Sequence, residues 1–108
     1  MASSTIKEPH HIPDYTTLTN RGTFTPTNSY VDVYTVASNV HFLKFTIISS
    51  GGGGSDAVVV AINNARTLSV YGPCMVDSGI YLVKAGDVIS IKKDSAITSG
   101  SVQIHSFA

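Results

Sequence analysis

The chain has 108 residues and a mass of 11.4 kDa, the length of one domain with a modest core. Only 13% of residues are charged and the formal net charge is zero, which removes the basic footprint of a nucleic-acid binder. Cys74 is the one cysteine, so an intrachain disulfide framework is excluded, and no apolar run approaches the ~20 residues of a membrane-spanning helix.

Residues 1–28 hold few large hydrophobes: Ile6, Ile12, Tyr15, Leu18 and Phe24, separated by Pro9, Pro13, Pro26 and seven threonines. Such a stretch cannot bury enough apolar surface to fold alone, and reads as an extended arm. Ile12, Tyr15 and Phe24 are its candidate attachment anchors. No basic stretch followed by an apolar one opens the chain, so no signal peptide is expected.

From Tyr30 the character changes. Tyr30–Val36 is a β-branched and aromatic run, and Val40–Ile48 alternates, with Leu43, Phe45 and Ile47 on one face and Lys44 and Thr46 on the other. Gly51-Gly52-Gly53-Gly54-Ser55 is a loop by composition. It is followed by Asp56 and a strand, not by a Lys-Ser/Thr and a helix start, so it is no phosphate cradle. Ala57–Ile62 is apolar on both faces and reads as a strand covered on both sides. Asn63-Asn64 is a turn, Arg66–Tyr71 alternates again, and Gly72-Pro73 breaks it.

Cys74–Val76 reads as a short strand, with Cys74 acting as a small buried hydrophobe. Ile80–Lys92 reads as two strands joined by Lys84-Ala85-Gly86-Asp87 into a hairpin, with Ile80 and Leu82 inward on the first and Ile89 and Ile91 inward on the second. A last strand, Ser101–Phe107, turns Val102 and Ile104 inward and His105 outward.

Roughly eight short strands without helical periodicity predict an all-β chain. The expected fold is a single compact antiparallel β-sandwich, jelly-roll-like, over residues 29–108, preceded by an extended N-terminal arm over 1–28.

The candidate chemistry is thin. His10, His11, His41 and His105 lack finger-like spacing with Cys74, so no metal or other cofactor is expected. Asp77, Asp87 and Asp94 each sit beside a turn residue, and no Gly-x-Ser-x-Gly elbow occurs. No catalytic residue is assigned and the chain reads as a non-enzyme. Outward tyrosines on a surface poor in charge suit a subunit interface better than sugar stacking.

The stretch Leu82–Ile91, with a final amphipathic strand after it, resembles the closing strands of trimeric β-sandwich knobs from bacteriophage tail fibres and receptor-binding tips. Its Gly-Asp step also resembles the trimeric jelly rolls of the tumour-necrosis-factor and complement type. A short chain with a Thr/Pro-rich arm is similar in architecture to phage capsid decoration proteins. The resemblance implies a non-enzymatic bacteriophage virion structural protein, assembled in the host cytoplasm as a homotrimer. It implies attachment to other virion proteins, capsid or tail, through the arm, without nucleic acid or membrane insertion. The loops Gly51, Gly52, Gly53, Gly54, Gly72 and Pro73 would then face the receptor, a host-surface glycan or protein. The rival reading is a small carbohydrate-binding β-sandwich module or an enzyme on the same fold.

Overall fold

Side chains on a strand alternate between two faces, and in the two longest strands that alternation separates core from surface. The structure, a computed structural model, describes residues 18–107. In β3 (Phe42–Gly51) the residues Leu43, Phe45 and Ile47 are fully buried, while Phe42, Lys44, Thr46 and Ile48 face outward. β9 (Ile97–Phe107) lies antiparallel beside it, with Phe45 opposite Ile104 and Ile47 opposite Val102, all four at 0% exposure. Burying each such side chain contributes roughly 1.5–3 kcal/mol before conformational entropy is charged against it.

The remaining strands are β1 (Leu18–Phe24), β2 (Val31–Thr35), β4 (Ala57–Ile62), β5 (Ala65–Tyr71), β6 (Cys74–Asp77), β7 (Tyr81–Leu82) and β8 (Val88–Lys93). One sheet has the order β1-β9-β3-β6, with the two-residue β7 also pairing β3; the other has the order β2-β8-β4-β5. All pairings are antiparallel, and the ribbons β1·β9, β2·β8, β3·β6 and β4·β5 nest one inside the next along the chain. This nesting over two sheets is jelly-roll topology. Val58, Val60, Ile89 and Ile91 of the second sheet meet Leu43, Phe45, Ile47, Val102 and Ile104 of the first in one core. The all-β sandwich expected from the sequence is present, and among the described residues there is no helix.

Two boundaries differ from expectation. The sandwich starts at Leu18, not at residue 29. Leu18–Phe24 pairs with β9 as an edge strand, and Phe24 packs against the core. A bulge between Asn20 and Gly22 interrupts its register, which hides the alternation a sequence reader relies on. Gly22 takes φ +128°, and a Cβ there would come within 2.7 Å of the Phe24 ring. Within the bulge Arg21 donates to the buried Ser106 hydroxyl at 2.7 Å and lies 5.8 Å from the Tyr34 ring, bracing one sheet against the other.

The stretch Ile80–Lys92 is also not a hairpin. β7 belongs to the first sheet and β8 to the second, so Val83–Asp87 crosses between sheets. The parity of its first half is inverted: Ile80 and Leu82 are 62% and 78% exposed, and Tyr81 and Val83 face the core. Tyr81 stacks at a tilt on Phe45, with ring centroids 5.5 Å apart, so the aromatic wins the inward position. Ile89 and Ile91 face inward as expected.

The revised boundary is testable by truncation. Removing residues 1–17 should leave a cooperatively folded sandwich, whereas removing 1–24 strips an edge strand and should abolish a cooperative thermal transition. Phe24→Ala in the full chain should cost about 2–3 kcal/mol in denaturant unfolding, below the value for a fully buried Phe because Phe24 is half-buried. A stable 25–108 fragment would restore the longer arm.

Candidate functional site

The jelly roll has two unlike ends. One gathers the connections 36–41, 63–64 and 83–87 together with the start of β1 and the finish of β9. The other gathers 25–30, 52–56, 72–73 and 94–96. The first end is the base and the second the tip.

The base is fixed by one carboxylate. Asn63 and Asn64 take φ of 51° and 65°, the left-handed pair that a two-residue β-hairpin turn requires and that Asn tolerates. This geometry presents the Asn63 amide to Asp87, which is 8% exposed. Asn63 Nδ2 donates to Asp87 Oδ1 at 2.9 Å, and Asn63 Oδ1 accepts from the Val88 N–H at 2.9 Å. Asp87 Oδ2 accepts from the Lys84 N–H at 3.0 Å. Through backbone bonds at 2.9 Å, Val36 donates to the Asp87 carbonyl and Gly86 donates to the Val36 carbonyl. Three connections distant in sequence thus share one node. The Lys84 N–H and the Asn63 amide both stabilise the ionised carboxyl and hold its pKa below the usual value.

The tip brings together the two glycine-bearing loops picked out from the sequence. Asp56 Oδ2 accepts from the Gly53 N–H at 2.8 Å, the Asp56 N–H returns to the Gly53 carbonyl at 3.1 Å, and the Gly72 N–H donates to the Asp56 carbonyl at 2.9 Å. The Ser49 hydroxyl donates to the Gly72 carbonyl. Asp94 secures the third connection, accepting the Ala57 N–H at 2.8 Å on its Oδ2. Gly51 and Gly52 take positive φ where the chain leaves β3, and a Cβ on Gly51 would collide with the Thr98 side chain. Gly53, Gly54, Ser55 and Pro73 are exposed at the outer rim, whereas Gly72 is buried under it.

The outer face of the first sheet is banded. At the base, Leu18, Phe107, Phe42 and Leu82 follow one another across β1, β9, β3 and β7. The next bands toward the tip are Asn20, His105 and Lys44, then Gln103, Thr46 and Asp77. Ile48 and Met75, 48% and 72% exposed, form an apolar patch nearest the tip. Asp77 accepts from the Thr46 hydroxyl at 2.5 Å and pairs with Lys44 at 3.5 Å, and both contacts lower its pKa.

On the outer face of the second sheet, Ala57, Val59 and Ala61 are buried as expected for a strand covered on both sides. They lie between Lys92, placed 5.3 Å from the Tyr30 ring, and Arg66, which reaches the Tyr71 hydroxyl at 3.5 Å. Tyr30 and Tyr71 are therefore outward tyrosines, while Tyr34 and Tyr81 pack against the core.

Of the proposed anchors, Phe24 is correctly placed nowhere on an arm: it is a core-packed residue of β1. Ile12 and Tyr15 lie outside the described residues. Two features escaped the sequence reading, the Asn63–Asp87 bond and the exposed apolar row at the base. A signal for the first was present in Asn-Asn followed by Gly-Asp, but nothing local joins residues 24 apart.

The fold and its two differentiated ends define an antiparallel jelly-roll sandwich. No family model matches the chain, and neither a curated protein nor a solved structure is significantly similar to it.

Because the folded-state pKa of Asp87 is depressed, its stabilisation is present above the unfolded value of about 3.8 and is lost as pH falls through the lower folded value. Asp87→Asn should therefore melt below the wild type at pH 6, and the gap should close as both are titrated below pH ~3.8. Asn63→Gly keeps the left-handed turn but removes both side-chain bonds, and should cost about 1–3 kcal/mol at neutral pH. A gap between wild type and Asp87→Asn that widens in acid would contradict this assignment.

Proposed function

We propose that the protein is a non-enzymatic structural component of a bacteriophage virion surface, a homotrimeric knob or decoration unit. It attaches to its particle at the base through residues 1–17 and presents the tip outward. The observation that carries this reading is the opposition of the two ends. Leu18, which residues 1–17 precede, is at the same end of the sandwich as the Asp87 node, whereas Gly53, Gly54 and Pro73 project at the far end. A segment that docks on a partner spreads widely spaced side chains over it, and gathers its ordering cost at that step. Loops on a rigid scaffold are the usual place for recognition. The virion part of the proposal rests on likeness of architecture to phage knobs and decoration proteins.

Self-association is supported by the large apolar side chains left exposed away from the base: Ile48, Met75, Tyr30 and Val31. Exposed apolar surface of this kind marks interfaces. Light scattering after size exclusion should give three times the 11.4 kDa chain mass at tens of micromolar. Deleting residues 1–17 should leave that mass, corrected for the deletion, and abolish incorporation into particles. Inserting a short peptide between Gly53 and Gly54 should preserve both. A monomer at that concentration removes the trimer, and incorporation of the truncated chain removes the attachment role.

A further inference from the structure

On the outer face of the second sheet, one row of residues runs across all four strands. Arg66 on β5 stands opposite Ala61 on β4, Ala61 opposite Ser90 on β8, and Ser90 opposite Asp32 on β2. Ala61 and Ser90, in the middle, are each 1% exposed, whereas Arg66 and Asp32 are exposed. β2 and β5 are the two edges of this sheet, so a cation ends the row on one side of the sandwich and an anion ends it on the other. Three interstrand steps of about 4.8 Å hold the two about 14 Å apart, too far to pair within one chain. Arg66 bonds to the hydroxyls of Ser69 and Tyr71. Among the described residues the one ion pair is Lys44–Asp77, so neither Arg66 nor Asp32 meets an opposite charge there.

Large apolar side chains accompany both charges. Tipward of Asp32, its edge carries Val31 and Tyr30, 44% and 46% exposed; tipward of Arg66, the other edge carries Tyr71 at 52%. Gly72-Pro73 leads from Tyr71 into β6, which puts Met75, 72% exposed, on that same side. Lys92, the other cation of this face, stands one strand in from the β2 edge, over the Tyr30 ring. The two sides are therefore unlike, opposite in charge, and matched in height. Successive strands alternate in direction, so β2 and β5 run antiparallel to each other. The β2 of another copy set beside β5 continues that alternation. The register shifts on both edges beside this row, and a bulge interrupts backbone pairing, so side chains make the join.

We infer that the β5–β6 side of one copy binds the β2 side of the next, with Arg66 pairing to Asp32 across the contact and Tyr71 and Met75 packing toward Tyr30 and Val31. Such a contact is head to tail, and it leaves an unused anionic edge on one copy and an unused cationic edge on the other until a ring closes. Because both charges belong to one row, no step along the strands accumulates from copy to copy, the condition for a closed ring over a filament. A twofold contact of either edge with itself would not bring Asp32 to Arg66. The inference rests on the trimeric reading for the number of copies and adds the surfaces that meet. It also sets the ring axis along the strands, so that every tip points the same way and every base the other.

The test is light scattering of the purified full-length chain across a dilution series, which reads the concentration at which trimers dissociate. Asp32→Arg and Arg66→Asp should each raise that concentration by about tenfold or more, since each sets like charges together. The two reversals in one chain should recover most of the loss, because opposite charges face each other again. The milder pair Asp32→Asn and Arg66→Gln keeps the test sound if a reversal disturbs folding. Neutralising both should weaken the trimer no more than the worse of the two alone, as for groups that act only through each other. A wild-type trimer that the single reversals leave intact would overturn the inference and leave the trimeric reading standing. So would a double reversal weaker than either single one, or neutralisations whose effects simply add. A wild-type monomer would remove both the trimeric reading and this ring.

Discussion

The bond between Asp87 and Asn63 is the constraint on which the geometry of the base depends. A jelly roll has to return its chain between two sheets several times, and each return exposes backbone groups that neither sheet can satisfy. Here one carboxylate and one carboxamide take up the Lys84 and Val88 N–H groups, while the backbone around Asp87 and Gly86 pairs with Val36. The node therefore sets the spacing of β2, β4 and β8 where they finish or begin. It also ties the Lys84–Asp87 part of the crossing between the sheets to the ends of β2 and β4.

The tip is secured differently. Asp56 and Asp94 tie the roots of the loops to backbone N–H groups, but Gly54 and Ser55 stand beyond those ties. Its outer residues can change without touching the core, whereas a change at Asn63 or Asp87 reaches three connections together. Such an asymmetry suits a protein held at one end and offering the other. It is a physical reason for assigning the two roles to the two ends, independent of any family likeness.

Much of the sandwich was legible in the sequence because burial imposes a period of two on strands with one wet face. Leu43, Phe45 and Ile47, like Val102 and Ile104, could hardly be read otherwise. The unbroken Ala57–Ile62 run correctly signalled a strand covered on both sides. Ile80–Val83 was misread because a single-residue slip flips every side chain to the other face. Four consecutive large residues, Ile80, Tyr81, Leu82 and Val83, leave both parities open. Their choice is made by the fit of Tyr81 on Phe45, 36 residues away in a different strand. β1 was invisible for another reason: its place comes from pairing with β9, and its bulge at Arg21 breaks the alternation. The candidate loops at the tip were picked by composition alone, and their convergence depends on Asp56, whose contacts only the fold brings together.

The central claim is that the base is rigid and the tip rim is not. Hydrogen exchange of the purified protein, read at single amides, tests it most directly. The account predicts that the amides of Val36, Lys84, Gly86 and Val88 exchange only through global unfolding, all with one common free energy, while those of Gly54 and Ser55 exchange through local motion many times faster. Base amides that exchange as quickly as the rim, or each at its own low value, would contradict it.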